Sequence, residues 1–108
     1  TSNISISGRK KETIRERMGK AIELIPGKTE DWLMVDLEGD ARLWFAGDKD
    51  RLLAIVEVDL LGKSDKASYE KLTARICDIM KDILGVPTDG TYVKYEEIQY
   101  WGYDRHNF

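Results

Sequence analysis

The segment from Leu53 to Tyr95 reads LAIVEVDLLGKSDKASYEKLTARICDIMKDILGVPTDGTYVKY and has the pattern of a strand, a helix and a second strand. Leu53–Leu60 is strongly apolar and is broken by two acidic residues in alternation, which predicts a strand with one solvent-exposed face. Thr91–Tyr95 is rich in β-branched and aromatic residues, which predicts the second strand. Parallel strands need a crossover of a dozen or more residues, so this segment indicates one βαβ unit.

The helix between these strands is predicted over Asp65–Leu84. Ser64 is a candidate N-cap, Gly85 ends the helix, and Pro87 prevents its continuation. The apolar residues recur every three or four positions and form one stripe, as in a helix packed against a sheet. They are Leu72, Ile76, Ile79, Met80 and Ile83.

An earlier helix is predicted over Arg9–Ile25, with Ser7 as its N-cap and Pro26-Gly27 after its end. Its apolar stripe consists of Ile14, Met18, Ala21, Ile22 and Ile25. A glycine in mid-helix costs about 1 kcal/mol against alanine, so we expect another part of the chain to pack closely at Gly19.

The remaining segments predict short strands. Trp32–Leu37 and Arg42–Phe45 are separated by a Gly39-Asp40 turn, which suggests a hairpin. The aromatic tail, Gln99–Phe108, predicts one or two short edge strands.

The two halves of the chain align on each other at an offset of 58 residues, with Arg17 over Arg75, Gly27 over Gly85 and Val35 over Val93. A repeated supersecondary unit is the simplest interpretation, and chance similarity of two amphipathic helices is the alternative. We therefore predict an α+β fold of two βαβ units, with a mixed sheet and two helices, in a single domain over residues 1–108. The same offset puts most of the first unit's opening strand before Thr1.

Composition excludes several classes of function. The 108 residues include 17 Lys and Arg against 20 Asp and Glu, a net charge of -3, which disfavours nonspecific nucleic-acid binding. No apolar run approaches the roughly 18 residues of a membrane helix, so we expect no membrane partner. With one Cys and one His, we expect no disulfide, metal site or metal cofactor.

Three stretches carry a resemblance to a known family: GKAIELIPGK at residues 19–28, TYVKYEE at residues 91–97, and the ending with Trp101-Gly-Tyr and Asn107-Phe108. In this order, over essentially the whole chain, they resemble the macrophage migration inhibitory factor family, which includes phenylpyruvate tautomerases. The resemblance implies two βαβ units in each chain and a homotrimer with its sites between subunits. It implies no cofactor.

The family's catalytic residue is an N-terminal proline at the start of the first strand. By the resemblance it would lie about five residues before Thr1, so no catalytic residue is expected within residues 1–108. The family reaction interconverts the keto and enol forms of arylpyruvates, and a neutral terminal amine acts as the base. Burial and nearby cations lower the pKa of such an amine, which keeps it neutral at cellular pH.

Four polar positions match the family's substrate site. Lys28 matches the pocket lysine, Leu61 the residue that offers a backbone N–H to the substrate carboxylate, and Tyr92 the tyrosine that reaches a neighbouring subunit's site. Lys94 stands where some members have a neutral amide. The residues alone favour a solvated lysine past a helix C-terminus for Lys28, and they fit equally an ordinary strand end at Leu61 and a strand tyrosine at Tyr92. Lys94 could attract an anionic substrate or merely face water.

Trp32, Trp101 and Tyr103 match aromatic or apolar positions around the mouth of the pocket. An aromatic rim suits a substrate with a phenyl group, and packing between subunits is the alternative role.

The leading hypothesis is therefore a homotrimeric tautomerase of small aromatic keto acids. The alternative within the same fold is a noncatalytic, cytokine-like protein that binds a protein receptor. A ferredoxin-like sensor domain, also built from βαβ repeats, would be a dimer or a monomer. We expect the protein in the cytoplasm, with export that uses no signal peptide as a further expectation for this family.

Overall fold

The structure, a computed structural model, describes all residues from 1 to 108. Two long helices and two paired strands form its body, and a short hairpin follows. In chain order these elements are α1 (Gly8–Ala21), β1 (Ala54–Leu61), α2 (Lys66–Leu84), β2 (Thr91–Ile98), β3 (Gly102–Tyr103) and β4 (His106–Asn107). Single turns of 3₁₀-helix occupy Ile22–Leu24, Glu30–Trp32 and Thr88–Gly90.

The unit β1–α2–β2 is the predicted βαβ crossover. The two strands are parallel and pair without interruption from Ala54 opposite Thr91 to Leu61 opposite Ile98. α2 connects them, as the minimum length of a parallel connection requires. Because Ser2 also bridges Ala54 in the antiparallel sense, the α+β fold with two helices and a small mixed sheet is confirmed.

Both helices begin at an N-cap side chain, and α2 ends at a glycine. Ser7 caps α1, since its hydroxyl accepts a hydrogen bond of 3.2 Å from the N–H of Lys10. The predicted cap of α2 was wrong by one residue: the Asp65 carboxylate, and not Ser64, accepts from the N–H of Ser68 at 2.8 Å. Gly85 ends α2 in the left-handed conformation, at φ 71°, which an L side chain disfavours.

The helices share one apolar core with the sheet. Ile14 of α1 and Ile76 and Ile79 of α2 are almost completely buried, and Val56 and Val93 pack against them from the strands. Because side chains alternate along a strand, the intervening residues face away from the helices. These include Glu57 of β1 and Lys94 of β2, which form an ion pair of 3.9 Å.

The first half of the chain has its helix but no strand ladder. The predicted strand Trp32–Leu37 was wrong as a paired strand: Trp32 lies in a 3₁₀ turn, and Met34–Leu37 form no backbone hydrogen bond. From Leu33 to Phe45 the residues nevertheless alternate between partly buried and exposed, which is the period of a strand. This segment therefore has the pattern of a strand but no strand paired with it. The predicted strand Arg42–Phe45 is likewise limited to one bridge, between Phe45 and Asp48.

The predicted hairpin at Gly39-Asp40 was wrong, because this turn bonds to the N-terminal segment instead. Ser2 donates to the carbonyl of Glu38 at 2.9 Å, and Asp40 donates to the carbonyl of Ile4 at 3.0 Å. A side chain at Gly39 would approach the Ile4 carbonyl oxygen to 2.7 Å, so this contact requires glycine.

The tail forms the expected short strands. β3 and β4 pair antiparallel with each other, Gly102 opposite Asn107 and Tyr103 opposite His106. No helix of the chain is both long enough and apolar enough to span a bilayer.

Candidate functional site

Lys28 and Leu61, which are 33 residues apart in the chain, are in direct contact. Gly27 turns the chain after the helical end at φ 82°, and the N–H of Lys28 then donates to the carbonyl of Ile25 at 3.1 Å. From this position the Lys28 ammonium donates a hydrogen bond of 2.8 Å to the carbonyl oxygen of Leu61, in a partly buried setting. Lys28 is therefore held at the end of β1, and it is not a freely solvated lysine.

Leu61 presents its peptide group to the edge of β1 that β2 does not occupy. Gly62 donates to Ile98 of β2 at 2.8 Å, whereas Ile55 donates to Thr1 on the other edge at 2.8 Å. Strand N–H groups alternate in direction, so the odd-numbered residues of β1, including Leu61, point their N–H away from β2. The Lys28 ammonium and the Leu61 N–H thus lie at the same edge.

An aromatic cluster lies at the same end of the molecule. Trp32 meets Tyr103 edge-to-face with ring centroids 5.2 Å apart and meets Phe108 in the same way at 5.3 Å. Tyr103 and Phe108 are stacked at 6.0 Å with an angle of 12° between their planes. All three rings are more than half exposed, so they form a surface and not a core.

The connections of these elements explain why they meet. Trp32 follows Lys28 by four residues on one loop, and the tail with Tyr103 and Phe108 follows β2, which ends opposite Leu61. Lys28, Leu61 and the aromatic cluster are therefore grouped at the carboxyl ends of two parallel strands, a common position for binding sites.

Trp101 lies beside this cluster without a ring contact to it. Its carbonyl oxygen accepts a hydrogen bond of 3.0 Å from the N–H of Phe108, which fixes the tail, and its side chain is 37% exposed. Phe108 belongs to this cluster but was not among the site residues predicted from the sequence. The only signal for it was its place in the terminal Asn107-Phe108 pair.

Tyr92 and Lys94 lie apart from this group. Tyr92 is opposite Ile55, six residues before Leu61, a distance of about 20 Å along the strand. Its ring packs on Phe45 at 5.6 Å and is 62% exposed. Tyr92 therefore does not reach Lys28 of its own chain.

On the sheet face that points away from the helices, the Lys94 ammonium is paired with carboxylates. Its ammonium lies 2.9 Å from Glu96 and 3.9 Å from Glu57. The hydrogen bond to Glu96, supported by the charges of Glu96 and Glu57, raises the pKa of Lys94. The positive charge of Lys94 is thus matched by its own chain.

Comparison with known proteins now identifies the family. The sequence model of the family described as Macrophage migration inhibitory factor (MIF) matches residues 3–105, nearly the whole chain. The chain belongs to the MIF family. A sequence search among curated proteins finds no significant match.

Solved structures agree with this assignment at the level of the fold. MIF2 of Leishmania major superimposes with a TM-score of 0.89 at 22% identity, over 99% of this chain and 91% of that one. The MIF homologue of Prochlorococcus marinus gives 0.85 at 24% identity, over 99% and 94%. A protein whose structure was solved after inactivation by 2-oxo-3-pentynoate gives 0.79 at 18% identity, over 91% and 82%. The chain has the MIF/tautomerase fold.

In this MIF-family chain, the turn after β1 is fixed by a hydrogen-bonded pair at its side. The Tyr69 hydroxyl donates to the Glu97 carboxylate at 2.5 Å, and Glu97 also accepts from the N–H of Ser64 at 3.2 Å. These bonds lower the pKa of Glu97, while burial, followed by the bond to Glu97, raises the pKa of Tyr69. The loop that follows Leu61 is therefore tied to the end of β2.

Two surface cavities of the single chain lie elsewhere. One of about 340 Å³ is lined by the polar residues Arg15, Glu16, Gly19, Lys20, Glu23 and Glu30. Another of about 600 Å³ lies along residues 41–44 and 49–52, with Asn3. Neither contains Lys28 or Leu61, whose chemistry identifies the candidate site. No three His, Cys, Asp or Glu side chains come together as a possible metal site.

Proposed function

We propose that this protein is a keto–enol tautomerase of small aromatic keto acids such as phenylpyruvate. The observation that carries the proposal is the meeting of the Lys28 ammonium with the outward edge of β1 at Leu61, beside exposed aromatic rings. A cation, a free N–H and an aromatic surface are the three features that an arylpyruvate carboxylate, carbonyl and phenyl ring require.

Each group has a distinct role in the proposed reaction. Lys28 turns from the Leu61 carbonyl toward the substrate and binds its carboxylate or keto oxygen, and the Leu61 N–H donates to the carboxylate. The phenyl ring packs against Trp32, Tyr103 and Phe108. The base removes a proton from the carbon next to the keto group, the electron pair moves to the keto oxygen, and protonation of that oxygen gives the enol. The reverse sequence restores the keto form.

The base in this proposal is the amine of a proline that begins a strand upstream of Thr1. The support is the register of the N-terminal residues, since Ser2 pairs antiparallel with Ala54 and Thr1 exchanges two backbone bonds with Ile55. Each residue added before Thr1 in this register lies one position further along β1. About the sixth such residue would lie opposite Leu61, beside Lys28.

The same strand would explain two unpaired backbone edges. Beyond Ile55, the edge of β1 opposite β2 has no backbone partner, and Met34–Leu37 form no backbone hydrogen bond. A strand edge with unpaired N–H and C=O groups accepts another strand, so a strand between these segments would satisfy both edges. An α-amine has an ordinary pKa near 8, and burial beside Lys28 would lower it, leaving a neutral base.

We also propose that three copies assemble and that the sites lie between them. Met34 is 94% exposed, Trp44 is 61% exposed and Leu52 is 46% exposed, and they accompany extended segments without backbone partners. Apolar edges of this kind are suited to strand addition by another subunit. Tyr92 packs on Phe45 within this region, so assembly would direct it toward a neighbour's Lys28.

The chemistry of one fold relative is in line with this proposal, since 2-oxo-3-pentynoate, which inactivated that protein, is by name a 2-oxo acid. The proposed reaction transfers only protons and so requires no cofactor. The proposed location is the cytoplasm, with export by a route that needs no signal peptide.

The test is an assay of the native gene product, purified from its source. Its first residue is determined by N-terminal sequencing, and the decay of the phenylpyruvate enol is followed by its ultraviolet absorbance. We expect a proline at the N-terminus and a rate well above that of buffer. A proline-led trimer with no rate above buffer would contradict the tautomerase and favour the receptor-binding alternative.

A further inference from the structure

The loop that carries Lys28 and Trp32 is fastened to α1 at its midpoint by Glu30. The Glu30 carboxylate lies directly over Gly19, so that a Cβ placed there would lie 1.6 Å from Glu30 Oε2. This is the close packing that the sequence predicts for a mid-helix glycine. We infer that Glu30, which packs on Gly19 and faces Arg15, is a positioning residue for the substrate site. The inference rests on the proposed function.

The positive charge of Arg15 holds the Glu30 carboxylate over Gly19. Arg15 Nη1 lies 3.6 Å from Glu30 Oε2, across the gap between α1 and the loop. The guanidinium is itself oriented by Glu12, which accepts from Arg15 Nε at 2.7 Å, and it lies 3.7 Å from Glu16. Arg15 is therefore already fixed on the helix when Glu30 meets it.

The contact of Glu30 with Gly19 affects the substrate site because Glu30 lies between two residues of that site in the loop. Glu30 lies two residues after Lys28 and two before Trp32, and it opens the 3₁₀ turn in which the Leu33 N–H donates to the Glu30 carbonyl at 3.0 Å. The other anchors of the loop are the Lys28 bond to Leu61 and the Trp32 contacts with Tyr103 and Phe108. In the proposed function those anchors are groups that the substrate engages, whereas the contact of Glu30 with Gly19 and Arg15 lies outside the site.

The size of the effect follows from the exposure of the pair. The Glu30 side chain is 55% exposed and the Arg15 side chain 44%, so the interaction is that of a surface ion pair and is screened by salt. We expect its loss to weaken phenylpyruvate binding by about two- to fivefold at low ionic strength, and by less in high salt.

The experiment is an NMR titration of the proline-led protein with phenylpyruvate. It compares Glu30→Gln with Glu16→Gln, which removes a different carboxylate from Arg15 without touching the loop. For Glu30→Gln we expect displaced Trp32 indole and Lys28 side-chain signals before ligand is added, a dissociation constant raised about two- to fivefold, and a melting temperature lowered by only a few degrees, as for the loss of one surface ion pair. For Glu16→Gln we expect the wild-type signals and affinity.

Gly19→Ala tests the same contact by changing the residue of α1 on which Glu30 packs. Its methyl group meets the flexible end of the Glu30 side chain, which can move away, and alanine favours the helix, so the variant is expected to fold. We expect the same displaced Trp32 and Lys28 signals as in Glu30→Gln. The double variant should be no weaker in binding than either single variant, because both changes remove one contact.

Two results would overturn the inference: unmoved Trp32 and Lys28 signals in both Glu30→Gln and Gly19→Ala, or equal effects of Glu30→Gln and Glu16→Gln. Failure of the proline-led wild-type protein to bind phenylpyruvate would count against the proposed function. It would leave the positioning role to be decided by the ligand-free signals alone.

Discussion

The Lys28 ammonium donates a hydrogen bond of 2.8 Å to the carbonyl oxygen of Leu61, which joins the loop after α1 to the last residue of β1. The outward edge of β1 thereby carries a cation and a free N–H at one point. In the proposed tautomerase, this is where the substrate carboxylate and the catalytic amine meet.

The first prediction concerns Lys28. In the proline-led protein, Lys28→Ala should raise the KM for phenylpyruvate by about tenfold or more, because a charge-assisted hydrogen bond is lost. Enol decay is followed across substrate concentrations. The matched control is Lys63→Ala, which removes an exposed lysine two residues beyond Leu61, and its KM should stay within about twofold of wild type. Equal KM increases in the two variants would show that only net charge matters.

The second prediction concerns Tyr92, which lies about 20 Å from Leu61 of its own chain. If Tyr92 acts in a neighbour's site, Tyr92→Ala and Lys28→Ala proteins should each retain about a tenth or less of the wild-type activity at phenylpyruvate concentrations well below the wild-type KM. After unfolding and refolding together in equal amounts they should recover about a quarter of the wild-type activity, because about one site in four then has both residues. A mixture no more active than its components would contradict shared sites.

The third prediction concerns the assembly. Trp44→Asp puts a charge on the exposed apolar edge and should break the trimer, lowering the mass measured by light scattering from about 37 kDa toward the 12.4 kDa of one chain. Tyr100→Asp changes another exposed aromatic residue, two residues past the end of β2 and so at the opposite end of that strand from Tyr92 and Phe45, and should keep the trimer. A wild-type monomer, or a trimer unaffected by Trp44→Asp, would refute the proposed interface.

The fourth prediction is a pH dependence of stability from Asp65. Hydrogen bonds from Ser68 lower the pKa of this carboxylate in the folded state, so the folded protein favours the charged form. Its contribution to stability is therefore complete above the unfolded pKa of about 3.9 and is lost as the pH falls through the lowered folded value.

Circular dichroism melting curves between pH 6 and pH 2 measure this contribution. Asp65→Asn keeps a capping side chain but removes the titration, so its melting temperature should lie below that of wild type at pH 6 and converge on it in acid. Ser64→Ala, at the residue that does not cap α2, should follow the wild-type curve. A constant difference between wild type and Asp65→Asn at every pH would contradict the assignment.

Much of the fold could be predicted because its determinants are local. The apolar stripe of α2, its stop at Gly85 and the strand patterns around it are all visible within short windows of sequence. They correspond to α2 at Lys66–Leu84 and the parallel β1–β2 pair. The repeat was equally informative, because an offset of 58 carries the first residue of α1, Gly8, onto Lys66, the first residue of α2.

The errors arose where distant residues compete for backbone groups. A turn at Gly39-Asp40 favours a hairpin locally, but the carbonyls and N–H groups around it bond to Ser2 and Ile4. Nothing in a window around Gly39 indicates that contact. Ser64 and Asp65 are both good caps by residue type. In the structure Ser64 donates its N–H to Glu97, 33 residues away, and Asp65 caps α2.

The candidate site was predicted from family resemblance and not from periodicity. Lys28 and Leu61 have no local signal that joins them, and the structure brings them together. Phe108 was missing from the predicted rim because a residue at the end of an irregular tail has no pattern to mark its contact with Trp32.

The most direct test of the proposed chemistry is to compare a free and a blocked terminal amine on the same strand. The protein is made with a proline about six residues before Thr1, once with the initiator Met removed and once with it retained, as verified by intact mass. A free proline nitrogen can accept a proton, whereas a proline nitrogen in a peptide bond is not basic. We predict rapid decay of the phenylpyruvate enol with the free proline and a rate equal to buffer with the retained Met. Equal rates from the two proteins would contradict a terminal amine as the base.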